Sequence, residues 1–209
     1  MRRQWRSMAK VFVCFPTTWS IVKAECAVSL ANLDWADAEV EYGFVNNYGV
    51  DKARNKLVKR ALDGGFTHIM MVDSDTVIPQ DALVNLLSHD VDVCMGFEVR
   101  GLSDDGTTNV SRLGGSFTDW YNRSELRAMR ENGEYLIQVK GNGMGCALIS
   151  TDVFRKLKKP WFVYKRNDDG SMLGEDYYFC LQCSSSGIKL HVDTRVACGH
   201  VHDRLLEAR

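Results

Sequence analysis

His68-Ile69-Met70-Met71-Val72-Asp73-Ser74-Asp75-Thr76-Val77-Ile78-Pro79 joins an unbroken apolar run to two carboxylates and a turn. A run without polar alternation, bounded by turn residues, reads as a β-strand covered on both faces. Asp73 and Asp75 follow at its carboxyl end. There both can turn into a cleft, and their hard oxygens suit magnesium or manganese, ions that bridge to phosphate oxygens. Solvated turn aspartates would show the same spacing, so the flanking segments decide between the two readings.

Upstream, strand-like and helical patterns alternate. Residues 11–15 are β-branched and aromatic, and Pro16-Thr17-Thr18 breaks them. Residues 21–33 carry Ile21, Ala24, Val28 and Ala31 at helical spacing, with Ser20 as the expected N-cap. Residues 40–45 read as a second strand ending at Asn46-Asn47. Residues 51–62 form an amphipathic helix with Ala53, Leu57, Val58, Ala61 and Leu62 on one face, closed by Gly64-Gly65. Short connections between such elements imply right-handed crossovers and a mostly parallel sheet, an α/β fold of Rossmann type. Ligands in open sheets of this kind sit beyond the carboxyl ends of the strands. Thr17-Thr18, Asn46-Asn47 and Asp73-Ser74-Asp75 all fall there.

Downstream, residues 80–88 read as a short helix and residues 91–97 as another strand. Residues 101–109 are polar and turn-rich, a candidate mobile loop. Residues 135–139 alternate as a strand. Gly141-Asn142-Gly143-Met144-Gly145 precedes the apolar residues 146–149 and a helix over 151–157. Gly174-Glu175-Asp176 opens a helix over 177–184, and residues 189–192 read as a strand ahead of Cys198-Gly199-His200-Val201-His202. No repeat or linker divides the chain, so residues 1–209 read as one domain, with a nucleotide-binding half over 11–100 and an acceptor half over 101–209.

Composition narrows the classes. The 209 residues are 45% hydrophobic, with 26 basic and 27 acidic side chains. A chain of that size buries roughly 70% of its extended surface and needs no staples. Near-neutral charge gives no global pull toward nucleic acid or anionic lipid; Arg2, Arg3, Arg6 and Lys10 supply a local basic patch only. No apolar run approaches the ~20 residues of a membrane span. The basic start precedes too short an apolar stretch for a secretion signal. Seven scattered cysteines suit reduced, buried thiols. The expected location is the cytoplasm.

Five ordered motifs carry a resemblance. Residues 68–83 resemble the Asp-x-Asp segment of GT-A-fold, nucleotide-sugar-dependent glycosyltransferases of the family-two-like group. Ala53-Arg54-Asn55 resembles the alanine–arginine–asparagine helix start upstream of that segment. Residues 141–149 with Asp152-Val153-Phe154 resemble the glycine-rich acceptor-side strand and helix. Gly174-Glu175-Asp176 resembles the Glu-Asp motif, and Gly199-His200 the late histidine. The matches run over nearly the whole chain, in order.

The resemblance implies a sugar moved from a nucleotide-diphosphate sugar, most commonly a UDP-sugar, to an acceptor hydroxyl. It implies Mn2+ or Mg2+ held by Asp75 directly and by His200, with His202 as competitor for that place, and Asp73 facing the ribose or holding metal-bound water. Asp176 would be the base of an inverting transfer and Glu175 would hydrogen-bond the acceptor or sugar. Thr17, Thr18 and Asn46 would hold the nucleoside, Arg54 a phosphate, and Gly143 would let the chain approach the sugar. Arg100 is a weaker phosphate or acceptor candidate. The acceptor stays open among a small glycoside, a protein and a modified nucleic-acid base. Two alternatives stand beside this reading. One is a nucleotidyltransferase on the same Asp-x-Asp site, although residues 15–20 lack the glycine and lysine of such enzymes. The other is a non-catalytic domain whose Cys180, Cys183, Cys198 and His200 bind zinc.

Overall fold

The computed structural model describes residues 9–17, 20–46, 49–99 and 106–201. The first half follows the expected alternation: β1 (Lys10–Thr17), α1 (Ala24–Ala31), β2 (Glu39–Asn46), α2 (Val50–Asp63) and β3 (His68–Val72). Strand β1 lies between β2 and β3 and runs parallel to both. Then come β4 (Thr76–Val77), α3 (Ala82–Leu87) and β5 (Val93–Glu98), followed by β6 (Thr107–Arg112), β7 (Trp120–Asn122), α4 (Arg123–Glu131), β8 (Leu136–Gly141) and β9 (Cys146–Ser150). Helix α5 (Thr151–Lys156), the hairpin β10 (Lys165–Arg166) and β11 (Met172–Leu173), helix α6 (Glu175–Ser185) and β12 (Leu190–His200) complete the chain.

All strands but the β10–β11 pair form one large sheet in the order β2-β1-β3-β9-β5-β12-β8-β6-β7, with β4 paired to β12. Strands of the two halves interleave: β9 runs antiparallel between β3 and β5, and β12 runs parallel beside β5. The α/β single-domain expectation holds, and the antiparallel strands are additions from the second half. Side chains alternate across the sheet into two cores. Phe12, Cys14 and Met71 pack with Leu57, Phe154 and Phe179 under α2, α5 and α6. Val11, Val13 and Met70 pack with Leu30 and Leu83 under α1 and α3. Among the described residues no helix is long and apolar enough to cross a membrane.

Several elements depart from the sequence pattern for identifiable reasons. Helix α1 begins three residues later than expected; Lys23 occupies the N-cap position, and Ser20 has a left-handed φ of 55°. Its expected apolar face is turned to water, Val28 being 60% exposed, while Cys26 and Leu30 are buried. Both faces have helical spacing, and only the sheet beneath selects one. Strand β12 continues past Val192 through Asp193-Thr194-Arg195, a polar stretch that reads as its end. Asp193 is fully buried, yet His89 Nε2 lies 2.7 Å from its Oδ2 and Arg195 donates to it at 2.6 Å. Burial raises the carboxyl's proton affinity, but His89 and Arg195 outweigh it and hold the pKa below the usual range. Residues 107–109, expected in a loop, belong to β6, which pairs with β7 and β8. Helix α4 was not anticipated. A capping box starts it: Asn122 Oδ1 accepts from Glu125 N, and Glu125 Oε2 accepts from Asn122 N, both at 2.9 Å.

Candidate functional site

A cavity of about 460 Å³ opens beyond the carboxyl ends of β1 and β3, lined among others by Thr17, Arg54, Asp73, Asp75, Glu175 and Asp176. Parallel strands explain why residues so distant in sequence meet: their carboxyl ends share one edge of the sheet. The N-termini of α2 and α6 face the same opening, since Val50 and Glu175, their first residues, line it. Neither helix has a side-chain cap; Gly49 and Gly174 fill the cap positions. Helix starts of this kind favour anions through their N–H groups and dipole.

The Asp73–Asp75 turn is braced from both sides. Asp73 N donates to Gly145 O at 3.1 Å, and Lys23 N donates to Ser74 O at 2.8 Å. The chain then enters β4, which pairs antiparallel with the end of β12 and sets Thr76 opposite His200. This ladder carries the late histidine across the sequence. His200 Nε2 stands 3.5 Å from Asp75 Oδ2. Val201 N also donates to Asp75 O at 2.9 Å.

Arg54 sits on the inward face of α2, 2% exposed, although lysines and arginines surround it in the sequence. Its Nη2 donates to Asp73 Oδ1 at 2.6 Å, and Nη1 lies 3.2 Å from Glu175 Oε1. Burial opposes its charge, but Asp73, Glu175 and Asp176 together hold its pKa above the ordinary value. Nε of Arg54 and the buried Thr17 hydroxyl make no hydrogen bond with any described residue, and Nη1 has only its ion pair with Glu175. Unsatisfied buried donors at a cavity wall are costly, and they fit a site that receives oxygen-rich groups.

Glu175 and Asp176 open α6. Asp176 Oδ1 accepts from Tyr177 N at 2.7 Å. A Cβ at Gly174 would stand 2.6 Å from that same oxygen, so the glycine leaves room for the carboxylate. Burial, and then the neighbouring Glu175, push the Asp176 carboxyl up to about 6 against the pull of Arg54. Tyr164, also at the cavity, has its phenol pushed up to about 12 by burial and by Glu175, its hydrogen-bond partner.

Asn46 and Gly143, two further sequence candidates, are not among the residues that line the cavity. Asn46 is exposed at the end of β2, in register with Thr17 of β1. Thr18, Asn47, Arg100, His202 and the basic residues Arg2, Arg3 and Arg6 lie outside the described residues. Gly143 is buried and does not line the cavity. A Cβ there would stand 2.5 Å from Asn109 Nδ2, and one at Gly145 only 2.0 Å from Glu98 Oε1. The glycine-rich stretch therefore makes room for Glu98 and Asn109. Glu98 accepts from the Thr76 hydroxyl at 2.5 Å. Burial raises its pKa, with Asp73 and Asp75 adding to the rise and His200 opposing it.

Glu98, Tyr164 and the cavity-lining Lys23 have no motif around them in the sequence; only the fold brings them to the site. The zinc alternative does not fit. Cys180 and Cys183 are buried in the core on one face of the sheet and Cys198 in the core on the other. Among the described residues no three Cys, His, Asp or Glu side chains are grouped to hold a metal unaided.

No protein-family model matches the chain, and no curated protein matches it. Solved structures do. A197 from STIV superposes with a TM-score of 0.61 at 20% identity, covering 93% of this chain and 86% of that one. GalNAc-T7 with UDP, GalNAc and Mn2+ gives 0.56 at 13% identity, covering 94% of this chain and 44% of its own. S. aureus TarS in complex with UDP-GlcNAc gives 0.51 at 16% identity, covering 93% and 60%. The chain thus spans less than two thirds of the last two. These likenesses establish the fold, the GT-A architecture that the motif order implies.

Proposed function

We propose that the chain is a divalent-metal-dependent glycosyltransferase that moves a sugar from a UDP-sugar to an acceptor hydroxyl with inversion. The observation that carries this reading is the convergence of Asp73, Asp75, Glu175 and Asp176 on one cavity, with His200 returned to Asp75 by the β4–β12 ladder. Two of the structural neighbours hold UDP or a UDP-sugar, one of them with Mn2+, which supports the donor class.

Asp75 and His200 would hold the cation, and the donor set fits one. A carboxylate oxygen and an imidazole nitrogen 3.5 Å apart can both face a single ion. Magnesium and manganese commonly take only one or two protein ligands and complete their shell with substrate phosphates and water. When bound, the ion supplies positive charge against the departing diphosphate. Arg54 keeps Asp73 and Glu175 in place and adds a fixed charge beneath the phosphates, as do the two helix starts. The Thr17 hydroxyl receives the nucleoside at the end of β1, with Thr18 and Asn46 as further contacts, and Gly143 acts indirectly by seating Asn109.

Asp176 takes the proton of the acceptor hydroxyl. Its pKa of about 6 lies close enough to neutrality for the carboxylate to accept a proton and still be ionised at working pH. Glu175, fixed by Arg54 and Tyr164, orients the acceptor or the sugar. The test is a panel of sugar nucleotides and nucleoside triphosphates, with Mn2+, Mg2+ or chelator, read by release of nucleoside diphosphate. The expected result is slow UDP release from a UDP-sugar with metal and none with chelator. Turnover of triphosphates with indifference to sugar nucleotides would instead establish a nucleotidyltransferase.

A further inference from the structure

Beside the cavity lies an open cleft of about 680 Å³, walled by Lys52, Asn55 and Lys59 of α2 on one side and residues 159–163 on the other. Asn55 builds it. Its amide donates to Phe162 O at 2.7 Å and its oxygen accepts from Trp161 N at 2.9 Å, clamping the segment against the helix. The floor is apolar, made by Pro160, Val163 and the edge of the buried Trp161. Lys159 stands at the rim, its Nζ 5.0 Å from the Trp161 ring centre.

Cations continue past the cleft. Lys56, Lys158, Lys165 and Arg166 are exposed, and like Lys52 they form no ion pair with any described residue. Acidic residues stand among them: Asp51 lines the cleft, Asp63 pairs with Lys59, Glu41 shares a hollow with Lys56, and Asp168 and Asp169 follow Arg166 in the chain. Three lysines, Lys52, Lys59 and Lys159, border the cleft itself, one of them paired with Asp63. The cleft adjoins the cavity. Asp51 and Lys52 border the cleft where Val50 borders the cavity, and Val163 borders the cleft where Tyr164 borders the cavity.

We propose that this cleft binds single-stranded nucleic acid and presents it to Asp176 as the acceptor; the acceptor role rests on the glycosyl-transfer reading, whereas the binding does not. Lysines at the rims match a phosphodiester backbone, and an apolar recess between them suits a flat base. A polyphosphate has no group to fill that recess.

The experiment is fluorescence anisotropy of a labelled mixed-sequence single-stranded 20-mer, without donor or metal. Neutralising about four phosphates predicts roughly 50-fold weaker binding between 50 and 200 mM salt. The triple variant Lys52→Glu, Lys59→Glu, Lys159→Glu should weaken binding at least about tenfold while still unfolding cooperatively, at a somewhat lower temperature because the Lys59–Asp63 pair and the Lys159–Trp161 contact are lost. Equal binding by a folded triple variant overturns the site. Tighter binding of inorganic polyphosphate or phosphatidylglycerol vesicles than of the oligonucleotide overturns the nucleic-acid assignment. UDP binding with Mn2+, measured in parallel, reports on the transfer reading alone: its absence while the oligonucleotide still binds defeats that reading and leaves the cleft standing.

Discussion

Asp176 is a carboxyl that folding makes a weaker acid. Its pKa of about 6 against an ordinary 3.8 means the folded state binds its proton more tightly than the unfolded chain does. The stabilisation this gives is fully present below the ordinary value and is lost as pH rises through about 6. At neutral pH the ionised group is thus a strain on the fold, on the order of 3 kcal/mol. Asp176→Asn should therefore unfold at a higher temperature than the native chain at pH 7.5, with little difference at pH 4. It should also lose turnover while still binding donor. On the proposed reading, kcat/KM of the native chain should rise with pH to a midpoint near 6 and then level off. A pH-independent profile, or a turning-over Asn variant, removes Asp176 as the base. At this scale the sequence was legible where chemistry and order coincide, as at Asp73, Asp75, Glu175 and His200. Arg54 was recognisable as a site residue, but its burial was hidden, because a charge flanked by Lys52 and Lys56 looks like part of a solvated face. Glu98 and Tyr164 carried no signal, since each matters only through a neighbour that the fold supplies.

Helix α1 shows why elements were easier to read than their orientation. Ile21, Ala24, Val28 and Ala31 repeat at helical spacing, and so do Cys26, Leu30 and Leu33. Periodicity cannot choose between two apolar faces; contact with Val11 and Val13 of β1 does. Leu30→Ala should cost about 2–4 kcal/mol of unfolding free energy, while Val28→Ser should stay within about 0.5 kcal/mol, both read from urea unfolding. The reverse ranking would mean the helix packs by the face the sequence favoured. Strand β12 was cut short in the sequence reading because Asp193 is a poor strand residue until His89 and Arg195 neutralise it. The start of α4 was readable in principle, from Asn122 and Glu125 at capping-box spacing.

Over the whole molecule, alternation of strands and helices was enough to place the first half, because parallel strands with short crossovers admit few topologies. It was not enough to show that β9 would insert antiparallel between β3 and β5, a long-range pairing with no local signature. Yet that insertion completes the site: Gly145, just before β9, receives Asp73 N, and the Glu98 carboxylate occupies the room that Gly145 leaves. On the proposed function, Asp75 and His200 grip a divalent cation against a leaving diphosphate. Calorimetric titration of UDP with and without Mn2+, on the native chain and on Asp75→Ala, tests it most directly. Asp75 is partly exposed, so the variant should fold. The account predicts UDP binding that requires Mn2+ in the native chain and falls by about 100-fold or more in the variant. Equal affinity in the two proteins, or binding indifferent to the metal, would contradict it.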